Sequence, residues 1–93
     1  MALAIIYGHT VKPFHLHDDK RGIPVLSFSV QDQDDGRNYY PLFADGNVAK
    51  AIDSKVQKGE PVHWVCDITS EPDTRLHGVS SRVAFRVIAF ERG

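Results

Sequence analysis

Between Arg37 and Ile68 the hydrophobic period of the chain changes twice, and this constrains the fold more than any other feature. The stretch reads as strand, helix, strand. Arg37 to Phe43 alternates, with Tyr39, Pro41 and Phe43 on one face and Tyr40 and Leu42 on the other. Val48, Ile52 and Val56 then recur at helical spacing with Ala49 beside them, a narrow stripe suited to one side of a core. Asp45 or Asn47 can serve as N-cap, Lys55 and Lys58 suit the negative end of the helix dipole, Gly59 suits the C′ position, and Pro61 prevents continuation. Val62 to Ile68 alternates again, with Val62, Trp64, Cys66 and Ile68 inward and His63, Val65 and Asp67 outward. Pro41 cannot donate to a ladder, so the strand before the helix is expected to be an edge there or locally irregular.

The flanking sequence reads as strand. In Ala2 to Lys12, Ile5, Tyr7, His9 and Val11 share one face, and Ala4, Ile6, Gly8 and Thr10 share the other. Gly8 in mid-strand marks a bulge or sharp coil, a means of turning one strand between two sheets. Pro13 interrupts pairing, and Phe14 to His17 resumes it briefly. A charged turn ending at Gly22 leads to Ile23 to Val30, where Leu26, Phe28 and Val30 alternate with Ser27 and Ser29. Gln31 to Gly36 is an acidic hairpin loop, and Ser70 to Gly78 is a polar one. In the last strand, Val79 to Phe90, Ala84, Ile88 and Phe90 share a face with Arg86, and Val83, Phe85 and Val87 form the opposite face. A strand apolar on both faces is expected to be covered twice, by a barrel interior and by a partner or long loop. The order predicts an all-β chain: a five-stranded OB-fold barrel with one α-helix between strands 3 and 4.

At 93 residues the chain is expected to be one domain, residues 1–93, with a thin core that dimerisation would support. The net charge of −1 argues against a generally basic nucleic-acid binder and restricts any anion site to a local patch. The single cysteine, Cys66, rules out an internal disulfide and reads as a small core residue. The apolar start lacks a basic n-region, and no run approaches membrane-spanning length, so a cytoplasmic protein without membrane contact is expected. Of the five histidines, His15 and His17 share a strand face but lack a further ligand at familiar metal spacing. No nucleophile–base pattern, phosphate loop or paired carboxylates appear. The expectation is a non-enzyme with no metal or cofactor.

These residues resemble, in order and spacing, the bacterial single-stranded-DNA-binding proteins and their smaller relative primosomal protein B. The resemblance covers nearly the whole chain. Ile5 to His17 looks like the family's opening strand, and Gly22 with Val25, Phe28 and Val30 like its turn and second strand. Tyr39 to Gly59 lies on its aromatic strand and helix without a gap, Gly46 to Lys50 and Lys58-Gly59 match its helix motifs, and Val62 to Cys66 follows its fourth strand. The resemblance implies binding of single strands without strong sequence preference, in replication, recombination or replication restart, by a homodimer or homotetramer.

The departures are specific. Only Tyr39 falls on a DNA-facing aromatic position; Asp45 holds the next one, with Phe43 two residues earlier. The loop at Gln31 to Asp35 is short and acidic, and the chain ends at Gly93 without the family's acidic, Phe-ending tail. A compact form is expected, like primosomal protein B or a phage- or plasmid-encoded version. Stacking is assigned to Tyr39 and Phe43, with Tyr40, Leu42 and Trp64 in the core. Lys20, Arg21, Arg37, Arg82 and Arg86 are the phosphate candidates. Two rival readings remain: a protein-interaction adaptor of a primosome or replisome, and a single-stranded RNA binder.

Overall fold

The computed structural model of the protein describes residues 2–11, 16–72 and 81–92, without the side chains of 70–72, 81 and 82. Its elements are β1 (Ala2–Thr10), β2 (Leu16–Asp18), β3 (Pro24–Asp32), β4 (Tyr39–Asp45), α1 (Gly46–Lys55), β5 (Val62–Pro72) and β6 (Ser81–Arg92). The sheet runs β1-β5-β6-β4-β3-β2, and a further β1–β3 pairing closes it. β1 and β2 lie along the same edge of β3: Gly8 to Thr10 pair with Asp32 to Val30, and Leu16 to Asp18 pair with Leu26 to Pro24. They are the two parts of one interrupted strand, so the barrel is the five-stranded OB-fold barrel with its helix between the third and fourth barrel strands. Lys12, Pro13, Phe14 and His15 lie outside the described residues.

Closure happens at Gly8, which pairs with Val62 of β5 and with Asp32 of β3. A Cβ there would run into the Gln31 backbone carbonyl and would sit 2.5 Å from Cγ1 of Val30. Only a residue without a side chain lets β1 pass from one neighbour to the other. Beneath it, the buried Trp64 indole Nε1 donates to the Gly8 carbonyl at 3.2 Å. Trp64 organises the core: its ring centroid is 5.0 Å from Phe28 and 6.1 Å from Phe90, with Val62 and Cys66 buried on the same face of β5. Ile6, Leu26, Val30, Leu42 and Val87 complete the interior.

The helix closes one end of the barrel with Ala49, Ile52 and Val56. It ends earlier than its sequence suggests. Val56 is already extended (φ −93°, ψ 131°), so Gly59 is not the C′ residue. Gly59 (φ 84°) instead turns the segment 57–60, where Glu60 N–H donates to the Gln57 carbonyl at 3.1 Å. Gly59 N–H also donates to the Thr10 carbonyl at 3.2 Å, tying this turn to β1 just past the closure.

Two strands depart from simple alternation. Pairing of β4 with β6 is parallel and begins at Leu42, one residue past Pro41, so the proline sits where β4 has not yet gained its second neighbour. In β6, Cys66 pairs with Val87 while Val65 pairs with Ala89, leaving Ile88 as an extra residue. This bulge reverses the expected phase: Phe90 packs against the core, on the same side as Val87, and does not share a face with Arg86. Strand ends also shift. β4 begins at Tyr39, placing Arg37 in the preceding loop, and β5 extends through Pro72; residues 73–80 of the polar loop lie outside the described residues.

Two outcomes test this account. Gly8→Ala is expected to destabilise by about 1–3 kcal/mol, the usual cost of overpacking where backbone cannot yield, or roughly 4–8 °C of Tm per kcal/mol. An unchanged Tm would remove Gly8 from the closure. Burial pushes the Cys66 thiol up to about 11. A thiol reagent at pH 8 should therefore label the folded protein far more slowly than the denatured chain, and equal rates would contradict its placement.

Candidate nucleic-acid interface

The outer face of β3 and β4 is the polar side of a two-stranded lane. Register sets Gln31 beside Tyr39, Ser29 beside Pro41, Ser27 beside Phe43 and Val25 beside Asp45. Alternation fixes which rings point out. Leu42 and Ala44 are buried, and Tyr40 turns inward against Phe85 with ring centroids 6.4 Å apart. The Tyr40 hydroxyl donates to Asp32 Oδ2 at 3.3 Å; burial first, and then the Asp32 charge, pushes its phenol above the usual range. Tyr39 is left 57% exposed, Pro41 is exposed, and Phe43 is half-buried. Small serines opposite Pro41 and Phe43 keep the lane shallow. Its seven β4 residues extend about 20 Å.

Cations flank the lane, but most are held. At one end lies the β3–β4 loop. Asp32 Oδ1 accepts the Asp34 and Asp35 N–H groups at 2.8 and 3.1 Å, and Asp35 accepts Arg37 Nε at 3.2 Å. The Arg37 guanidinium is the first cause holding the Asp35 carboxyl below its usual range. The Arg37 side chain remains 91% exposed. The loop is also tied to β1: the His9 ring nitrogens lie 2.8 Å from Gln33 Oε1 and 3.1 Å from Gln31 Oε1, and Gln33 N–H donates to the Tyr7 carbonyl at 2.9 Å.

At the other end the β2–β3 turn carries Lys20 and Arg21. Asp19 Oδ1 accepts the Arg21 and Ile23 N–H groups at 2.8 and 3.0 Å, and Oδ2 meets Arg21 Nη2 at 3.4 Å. The Ile23 N–H leads the causes that keep the Asp19 carboxyl low. Lys20 is exposed with no ion pair among the described residues. On β6, Arg86 lies in register with Phe43 and meets Asp45 Oδ1 through Nη2 at 2.9 Å and Nε at 3.3 Å.

Tyr39, Phe43 and Arg86 thus share one face, with Arg37 beyond one end of β4 and Lys20 and Arg21 in the turn before β3. Arg82 lies in β6, but its side chain is outside the described residues, as is His15 of the histidine pair. The sequence reading missed the Asp45–Arg86 pair. The two residues are 41 apart in the chain, and Asp45, expected as a candidate helix cap, makes no side-chain cap bond. Among the described residues no group of three His, Cys, Asp or Glu side chains converges to hold a metal ion, and no helix is long and apolar enough to cross a membrane.

No protein-family model and no curated relative matches this sequence. Solved structures do. A small single-stranded DNA-binding protein from Streptomyces coelicolor is similar at a TM-score of 0.75 and 16% identity, over 99% of this chain and 92% of its own. The SSB domain of a Synechococcus sp. protein is similar at 0.79 and 15%, over 99% and 96%. The Saccharomyces cerevisiae mitochondrial single-stranded DNA-binding protein Rim1 is similar at 0.75 and 17%, over 98% and 94%. At these identities the likeness establishes a shared OB fold along almost the entire chain.

Proposed function

We propose that residues 1–93 form one non-enzymatic OB domain that binds single-stranded DNA without strong sequence preference. The observation that carries this reading is the exposed Tyr39 ring on the outer β3–β4 face, with cationic residues at both ends of the lane. Bases stack on Tyr39, and on Phe43 where the strand continues, while Arg37, Lys20, Arg21, Arg82 and Arg86 take phosphates. Solved structures of the same fold whose names describe single-stranded DNA binding support it. The role is replication, recombination or replication restart, in a compact form of the primosomal protein B kind. A cytoplasmic setting suits the free thiol of Cys66.

Assembly as a homodimer, or a homotetramer built from it, is supported by β1. Leu3 is 55% and Ile5 71% exposed, beside the half-buried Val65 on β5. Among the described residues, this strand pairs from Ala2 to Tyr7 with β5 alone, since β3 takes it up at Gly8. An apolar face next to an unpaired strand edge is a ready surface for a second copy. Ile5→Glu should convert the assembly to monomers in sedimentation at micromolar concentration; a monomeric wild type would reject the surface.

A second reading has a specific observation behind it. Arg21, Arg37 and Arg86 each sit on a carboxylate, and the β3–β4 loop is acidic, which suits a protein-interaction adaptor of a primosome or replisome. Fluorescence titration with oligo-dT at low salt separates the two. Tyr39→Ala is expected to weaken binding by about 1–3 kcal/mol, and Arg37→Ala to flatten the salt slope by about 0.7. Unchanged affinity in both variants would remove this site, and no binding by the folded wild type would favour the adaptor. Competition with oligo-U of equal length reads the RNA alternative.

A further inference from the structure

Asp45 occupies an unusual junction. It is the last residue of β4, the N-cap residue of α1, and a member of the outer lane two positions past Phe43. Its backbone is extended (φ −136°, ψ 166°), the conformation from which an N-cap side chain normally accepts the N–H of the second or third helical residue. Yet the carboxylate makes no cap bond and takes both Nη2 and Nε of Arg86 on Oδ1. Arg86 is the cation in register with Phe43, so the arginine beside the half-buried ring is already ion-paired.

Building on the single-strand reading, we propose that Asp45 is an affinity-setting residue of the interface: it stands in for a phosphate on Arg86 and must be displaced when a strand binds. Displacement does not strand the carboxylate. The helix start is within its own residue's reach, and the Asn47 or Val48 N–H becomes its partner. A polyanion therefore binds by exchange: phosphate replaces carboxylate on Arg86, and carboxylate moves to the helix. The pair lies at the surface, with side chains 44% and 36% exposed, so the exchange requires no opening of the core. Among the described residues, Asp67 lies opposite Arg86 on β5 and is a further carboxylate beside this site.

The test measures oligo-dT affinity and its salt dependence in Asp45→Asn, alone and combined with Asp67→Asn, with Asp53→Asn on the exposed side of α1 as the control for net charge. Freeing Arg86 should raise affinity by about two- to fivefold, the worth of one exposed ion pair, and steepen the salt slope by about 0.7. Adding Arg86→Ala should cancel both gains, whereas Asp53→Asn should produce neither. In the wild type, amide exchange at Asn47 or Val48 should slow on binding. If the wild type binds and neither Asp45 variant gains, or if the gain survives Arg86→Ala, the exchange is wrong while the single-strand reading stands. If no folded variant binds oligo-dT at low salt, both fall.

Discussion

The close approach of β1 to β3 over Trp64 governs the rest of the molecule. A barrel of five strands has to bring its first strand from one neighbour to another, and no side chain fits between the backbones at the crossing. Gly8 leaves that space, and the indole N–H of Trp64 takes its carbonyl, so the tightest point in the barrel is also hydrogen-bonded to its centre. The consequences run outward. Thr10, two residues on, holds the turn at Gly59, which fixes where β5 enters. β5 then delivers Trp64, Phe28 and Phe90 settle around it, and α1 seals the end.

Closure also determines what the outside can do. With Leu26, Phe28, Val30, Leu42 and Ala44 committed inward, the outer face keeps serines, Val25, Pro41, the exposed Tyr39 ring and the half-buried Phe43. Such a surface is open and about 20 Å long. Extended polymers with repeating planar groups fit that geometry. The charge pattern then sets the strength. A chain with no basic excess offers a polyanion only local cations, and here three arginines are held by aspartates two residues away or across the sheet. On the single-strand reading proposed above, a polyanion on this face has to exchange with these ion pairs.

The fold was largely legible because alternation and helical spacing are local properties. Leu26, Phe28 and Val30, and Val62, Trp64 and Cys66, point inward as their spacing requires, and Gly8 marks the crossing. What escaped depends on partners distant in the chain. The bulge at Ile88 reverses the phase of β6, and nothing within that strand announces it; only the register against Val65 and Cys66 reveals the extra residue. Gly59 looked like a helix stop because glycine commonly is one, but Val56 is drawn into the core and ends the helix first. For the lane, Tyr39 and Phe43 follow from alternation along β4, while the ion pair on Arg86 joins residues that no sequence window contains.

That last point links fold to interface. The residue at the β4–α1 junction must be extended to let the helix begin, and this requirement holds for any chain with this topology. An aspartate there can serve the helix or reach across to β6, and here Oδ1 takes both Arg86 nitrogens. The structure has the second arrangement: Asp45 makes no side-chain cap bond to α1 and pairs with Arg86. Helix start and outer lane therefore both lie within reach of one side chain. A substitution at residue 45 chosen to strengthen the helix would also change the charge of the lane. If the lane binds a strand as proposed, the residue at this N-cap position bears on both the helix and the interface, and its identity cannot be read from either demand alone.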